Sequence, residues 1–160
     1  LQDPADYLYW DCIKIDGTVE TSKFSYNSGQ MLQAAVLLYN ATGDAQYLTD
    51  AKLLAEACYN YFFENFVSNY SGEQFRILKD GKRWFNAIMV RGFLELNKVE
   101  SNGTYMLAIR KSLDHAWKYT RDAETGLFFK QFSGNEITDN PGDILDQGAI
   151  VELYAKLAVN

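Results

Sequence analysis

Aspartates carry the chemistry that this sequence offers. Asp11, Asp16, Asp122, Asp139, Asp143 and Asp146 fall in or beside turns and long connections, where side chains held by a rigid scaffold reach ligands. Carboxylates working in pairs suit glycoside hydrolysis, in which one donates a proton and the other attacks or activates water. No two of the six are spaced as an obvious pair. Asp143 also suits the N-cap of the last helix, and Asp146 its first turn, where a negative charge favours the helix dipole. Other routes lack their residues. The sequence has no G-x-S-x-G elbow, no P-loop and no dinucleotide glycine fingerprint. His115, the single histidine, is expected on the wet side of a helix and is poorly placed for catalysis. Cys12 and Cys58 read as two buried thiols, and no metal-ligand spacing is present.

The elements that must position these groups are mainly helices. Ser28 to Asn40 is apolar nearly all round, with one stripe at Leu32, Ala35, Val36 and Tyr39 and another at Met31, Ala34 and Leu38, which predicts a buried helix. A tight Thr42-Gly43-Asp44 turn leads into a helix with one wet face. Leu48, Ala51, Ala55, Cys58 and Phe62 face inward there, and Asp50, Lys52, Glu56, Asn60 and Glu64 face outward. The pairing recurs. A second inner helix starts near Trp84, interrupted only by Arg91 and Glu95. After Ser101-Asn102-Gly103, an outer helix is expected to bury Tyr105, Ala108, Ile109, Ser112, Leu113, Ala116 and Trp117. Gly148 to Ala158 reads as a third inner helix. The repeat is roughly 58 residues, longer than the common helical repeats.

Long connections, 67–83 and 122–146, would gather at one end of these hairpins and form the working face. Two stretches read as strand. Tyr7 to Ile15 runs through Asp16-Gly17 into Thr18 to Thr21, a strong hairpin signal. Gly126 to Phe132, closed by Ser133-Gly134-Asn135, is a weaker second ribbon.

Composition narrows the ligand. A net charge of −6 with no dense Lys/Arg cluster argues against nucleic acid, which needs cations along the phosphates. No apolar run reaches membrane-spanning length. Aromatic residues make up 15% of the chain, and Tyr7, Tyr9, Trp10, Tyr26, Trp84, Phe85, Phe128 and Phe129 fall outside the helix stripes. Rings beside Asp, Asn and Gln suit carbohydrate, but they equally suit the packing of long loops.

Several of these segments, in order, resemble glycoside hydrolase family 76, the endo-α-1,6-mannanases and their relatives. Trp10-Asp11-Cys12-Ile13 resembles the family's W-D-G-I, and Tyr26-Asn27-Ser28-Gly29 its Y-N-Q-G. Leu38-Tyr39-x-x-Thr42-Gly43-Asp44-x-x-Tyr47-Leu48 matches L-Y-x-x-T-G-D-x-x-Y-L, and Trp84 to Arg91 resembles a later F-K-G-I-F-x-R segment. The resemblance implies an all-α fold, an α/α toroid or partial (α/α)6 barrel of alternating inner and outer helices with a small β-hairpin near the N-terminus. It implies a retaining hydrolase of α-1,6-linked mannan without cofactor or metal, working outside the cell, at its surface or in the periplasm. Trp10, Asp11, Tyr26, Asn27, Trp84, Phe85, Arg91, Asp146 and Gln147 become the expected substrate-binding residues.

Ser28, Cys12 and Asn86 depart from the family pattern, and all three are expected on the sugar-facing end. The family's catalytic residues are two consecutive aspartates before W-D-G-I, and this sequence contains no Asp-Asp dipeptide. Residues 1–160 are therefore expected to form a single unit, the C-terminal half of a larger catalytic domain, prone to self-association through the bare flank of its first inner helix. Two alternatives stand beside this reading. One is another toroid sugar enzyme, N-acylglucosamine epimerase-like or unsaturated glucuronyl hydrolase-like. The other is a non-catalytic helical-repeat binding module.

Overall fold

A computed structural model describes residues 1–134 and 141–159. In chain order the elements are β1 (Trp10–Ile13), β2 (Val19–Lys23), α1 (Ser25–Thr42), α2 (Ala45–Phe62), β3 (Phe63–Val67), β4 (Gln74–Leu78), α3 (Arg83–Val99), α4 (Gly103–Tyr119) and α5 (Ile144–Ala158). Asp139 and Asn135, named above, lie outside the described residues. The fold is all-α with a small N-terminal hairpin, as expected. By its contacts the chain divides into two compact units, Leu1–Tyr61 with Ile88–Ser101, and Phe62–Ala87 with 102–160.

In the first unit, β1 and β2 pair antiparallel around the Asp16-Gly17 turn, and Gly17 adopts the left-handed φ of +85° that such a turn requires. Helix α1 ends where Gly43, at φ +72°, donates its N–H to the Tyr39 carbonyl. Asp44 then accepts from the Gln46 N–H at 2.9 Å and opens α2. Helices α1 and α3 approach through glycine. A methyl group on Gly29 would fall 2.2 Å from the Met89 Cα, and one on Gly92 would fall 2.7 Å from the Gly29 carbonyl oxygen. The buried face of α1 is narrower than its composition predicts. Leu32 and Val36 are buried, whereas Met31, Leu37 and Leu38 are 41%, 50% and 44% exposed.

In the second unit the chain leaves α2 as strand, not as more helix. Phe63 and Phe66 are buried, and β3 and β4 pair antiparallel from Phe63↔Leu78 to Val67↔Gln74. Strand β4 falls in the long connection expected over 67–83, whereas β3 begins where the outer helix was expected to continue. The hairpin packs on α4, where Ser112 Oγ accepts from the Leu78 N–H at 2.9 Å. Two expectations are corrected as a result. His115 is 4% exposed rather than wet, and Trp117 is 50% exposed rather than inward. The hairpin covers one more face of α4 than the apolar stripe alone indicates. Residues 126–132 form no named strand. They make isolated bridges, Arg121↔Phe128 and Phe129↔Pro141. Helix α5 starts four residues earlier than Gly148, because Asp143 is the N-cap and its carboxylate accepts from the Asp146 N–H at 3.0 Å.

Candidate functional site

Asp11 lies at an irregularity of the first hairpin. Trp10 pairs with Lys23 and Cys12 with Glu20, so β2 carries two residues, Thr21 and Ser22, opposite Asp11. The strand that bends at such a bulge is the one with the extra residue, β2. Here the Asp11 carboxylate meets the first turn of α1, where its Oδ1 accepts from the Tyr26 hydroxyl at 2.6 Å and from the Asn27 amide at 3.0 Å. The Tyr26 bond, then the Asn27 bond, hold the Asp11 carboxyl below the usual carboxylate range. The Tyr26 phenol is pushed up in turn, chiefly by that same bond. Phe24, which the sequence reading did not single out, stacks on Tyr26 with ring centroids 5.9 Å apart and planes 9° from parallel. Its place two residues before Tyr26 was the available signal. The node therefore offers a fixed anion, an amide, a phenol and a pair of parallel rings.

Trp10 is turned toward the N-terminal loop, where its indole N–H donates to Asp3 Oδ2 at 3.2 Å. Lys23 bridges Asp3 and Asp6 at 2.6 and 2.7 Å and pins that loop to β2. Arg91 is half-buried on α3, and its helix neighbour Glu95 pairs with Lys98 at 2.9 Å. Ser28 is buried and accepts from the Tyr9 N–H at 3.0 Å, which fastens the N-terminal segment to α1. Cys12 is exposed, contrary to expectation, while Cys58 is buried and its thiol is pushed up by desolvation.

The expected residues of the second unit form another group. Trp84 and Phe85 meet edge to face with centroids 4.2 Å apart. Asp146 is 3% exposed, and its Oδ1 accepts from the backbone N–H of Arg83, at the start of α3, at 2.9 Å. The Gln147 amide accepts from the Phe128 N–H at 3.0 Å and donates to the Phe128 and Gly142 carbonyls at 2.7 and 3.2 Å. Asn86 is also buried and donates to the Lys79 carbonyl at 3.2 Å.

Sequence reasoning missed the charge at the centre of this unit. Arg83 is fully buried, its guanidinium over the Phe128 and Phe132 rings and donating to the Gln131 carbonyl at 3.0 Å. Burial lowers its pKa to about 10. Asp80 accepts from the Phe132 N–H at 2.6 Å and from the Ser133 hydroxyl at 2.7 Å. His115 stands between Ser68 Oγ, 3.0 Å from its Nε2, and the Phe132 carbonyl, 3.0 Å from its Nδ1. Burial lowers the imidazole pKa. Among the described residues no group of three His, Cys, Asp or Glu side chains is arranged to hold a metal ion.

An α/α fold whose hairpin and first helix present a carboxylate, an amide and stacked rings has the features of a sugar-active protein. The family model of glycosyl hydrolase family 76 matches residues 1–159, and the chain belongs to that family. It is similar to a family 76 mannosidase from Bacteroides thetaiotaomicron VPI-5482, with 42% identity and a TM-score of 0.92 over 99% of this chain and 44% of that one. A family 76 glycoside hydrolase from a bovine strain of that species is 41% identical, with a TM-score of 0.91 over 99% and 35%. An inactive variant of a Salegentibacter α-1,6-mannanase, with two aspartates replaced and α-1,6-mannotetraose bound, is 27% identical with a TM-score of 0.72 over 99% and 48%. The chain thus spans less than half the length of each of these relatives. No curated protein matches it. Its fold class is that of the α/α toroids. No helix among the described residues is long and apolar enough to cross a membrane.

Proposed function

We propose that this chain is the sugar-holding part of a glycoside hydrolase that acts on α-1,6-linked mannan. Family membership supports the reaction class, and the Asp11–Tyr26–Asn27 node carries the reading of this chain. Tyr26 and Asn27 both donate to Asp11 Oδ1, and a mannose hydroxyl would add a further donor to the same carboxylate. A carboxyl held below its ordinary range is ionised at neutral pH, so Asp11 serves as an acceptor and not as a proton donor. Phe24 and Tyr26 supply ring faces for the C–H face of a pyranose.

Retention requires two carboxyls ~5–5.5 Å apart, one as nucleophile and one as acid/base. The node holds one carboxylate, and the chain has no consecutive aspartates. On this reading the catalytic pair comes from sequence before Trp10-Asp11, beyond this chain. A polymer as substrate also assigns the protein to the cell exterior, its surface or the periplasm.

Calorimetry of the chain with α-1,6-mannotetraose tests the binding, with Asp11→Asn as the control variant. Saturable binding that weakens in the variant is the expected outcome. Binding unchanged in the variant would remove Asp11 from the site, and mannan hydrolysis by this chain alone would show that its own carboxylates suffice. The second reading, a non-catalytic module, is favoured by the single carboxylate of the node. It predicts that a longer protein carrying this chain binds mannan without cleaving it.

A further inference from the structure

Asp3 touches both members of one cross-strand pair. Its Oδ2 accepts from the Trp10 indole N–H at 3.2 Å and from the Lys23 ammonium at 2.6 Å, and Trp10 and Lys23 face each other across β1 and β2. Lys23 also reaches Asp6 at 2.7 Å. The Lys23 and Asp3 side chains are only 14% and 15% exposed, so salt screens this contact less than a surface pair.

One carboxylate oxygen holds both side chains only while they share a face of the hairpin. The pairing set by the Asp16-Gly17 turn, Ile13↔Val19 and Cys12↔Glu20, would continue as Asp11 opposite Thr21 and Trp10 opposite Ser22. In that regular register Lys23 would point to the opposite face from Trp10, because side chains alternate along a strand. The extra residue of β2 brings Lys23 opposite Trp10 instead, and the shared Asp3 contact belongs to this register. Beyond Lys23 the chain passes through Phe24 into α1, which packs closely on α3 at Gly29. A slip of one residue would therefore shift Asp11 past the first turn of α1 by about 3.3 Å, more than its 2.6 Å bond to Tyr26 can follow. Ser28 holds Tyr9 to α1 on one side of Asp11, and the turn closes the hairpin on the other. The Trp10–Lys23 pair governs the stretch between them.

We propose that Lys23 is a positioning residue for the Asp11–Tyr26–Asn27 node: anchored on Asp3 beside Trp10, it sets the strand register that delivers the Asp11 carboxylate to Tyr26 and Asn27. That the node holds mannan rests on the reading above; the positioning does not.

The test is NMR titration of the Asp11 carboxyl and the Tyr26 phenol in wild type, Lys23→Met and Lys23→Arg, without sugar. Methionine keeps much of the stem's packing and removes the ammonium, whereas arginine keeps the charge. The bond between Tyr26 and Asp11 lowers the carboxyl and raises the phenol. Lys23→Met should release both, so Asp11 rises and Tyr26 falls, each toward its ordinary range, while Lys23→Arg stays near wild type. Loss of a nearby positive charge alone would raise both groups. Any pattern other than opposed movement, including two rising or two unchanged values, overturns the proposal, and so does an arginine variant that behaves as methionine does. Asp3→Asn should show the same opposed movement, although loss of its charge alone would lower both groups, and it decides the matter if Lys23→Met does not fold. Calorimetry with α-1,6-mannotetraose should then show binding by Lys23→Met weakened by up to about tenfold. Opposed titrations with sugar binding absent or unchanged uphold the positioning and sink the sugar reading of the node.

Discussion

Asp11 is half-buried, and the Tyr26 and Asn27 donors lead in setting its charge state, so its contribution lies in geometry more than in stability. Asp11→Asn keeps the shape and removes the charge. Affinity for α-1,6-mannotetraose should fall about tenfold, the worth of one charge-assisted hydrogen bond, with little change in melting temperature. His115 is the opposite case. Its Nδ1 faces a carbonyl, so in the neutral ring Nδ1 carries the proton and Nε2 accepts the Ser68 hydroxyl. Ser68 Oγ already accepts from the Tyr70 and Ser71 N–H groups at 3.2 Å each. A protonated ring would aim a further donor at that oxygen. The folded pKa is lowered from 6.5, so the unfolded chain takes up the proton first. Stability is full above about pH 6.5 and is lost as pH falls through the lower folded value. Melting curves between pH 4 and 8 should show this loss, and His115→Gln should flatten it. A wild-type slope retained in the variant would assign the loss to other groups.

The helices and hairpins stand on a few close contacts. Gly29 lets α1 reach α3, and a methyl group 2.2 Å from the Met89 Cα meets backbone, which cannot rotate away. Gly29→Ala should therefore cost ~1–3 kcal/mol, read as a lower denaturant midpoint at unchanged slope. At the start of α3, Asp146 accepts the Arg83 N–H and supplies negative charge near a buried guanidinium. Asp146→Ala should destabilise by ~1–3 kcal/mol, through one unsatisfied buried donor. A wild-type midpoint would show that water replaces the carboxylate. These starts and stops were legible because capping depends on neighbouring residues alone: the Gly43 C-cap, Asp44, Asn102 and Asp143 all stand where side-chain chemistry puts them. The β3–β4 hairpin was hidden because Phe63-Glu64-Asn65-Phe66 continues the apolar spacing of α2. The later cue, Ser71-Gly72 with Gly72 at φ +70° between two strand-like runs, went unused. Missing that hairpin misplaced His115 and Trp117 together.

At the scale of the molecule, the helix pattern and the motifs around Asp11 led to the family, and the Asp11–Tyr26–Asn27 group was legible as a group. Asp146 and Gln147 were legible as polar residues of a first turn, but not as partners of Arg83 and Phe128, which lie 63 and 19 residues away in sequence. Pairings at that range leave no local trace. Helix α1 leaves Met31, Leu37 and Leu38 substantially exposed. Apolar side chains so exposed should make the chain self-associate as concentration rises. Sedimentation velocity checks this, and a monomer throughout the range would show that the flank is tolerated in water.

Gln147 meets Phe128 as a neighbouring strand would, with one acceptor and one donor on the same residue. Slow loss of ammonia from this amide would replace its N–H donors with an anionic oxygen facing two carbonyls. The chain around Phe128 would then come away from α5 without any change in the encoded sequence. Ageing of a purified sample, followed by a mass gain at this single residue, should track a rise in protease cutting near Phe128.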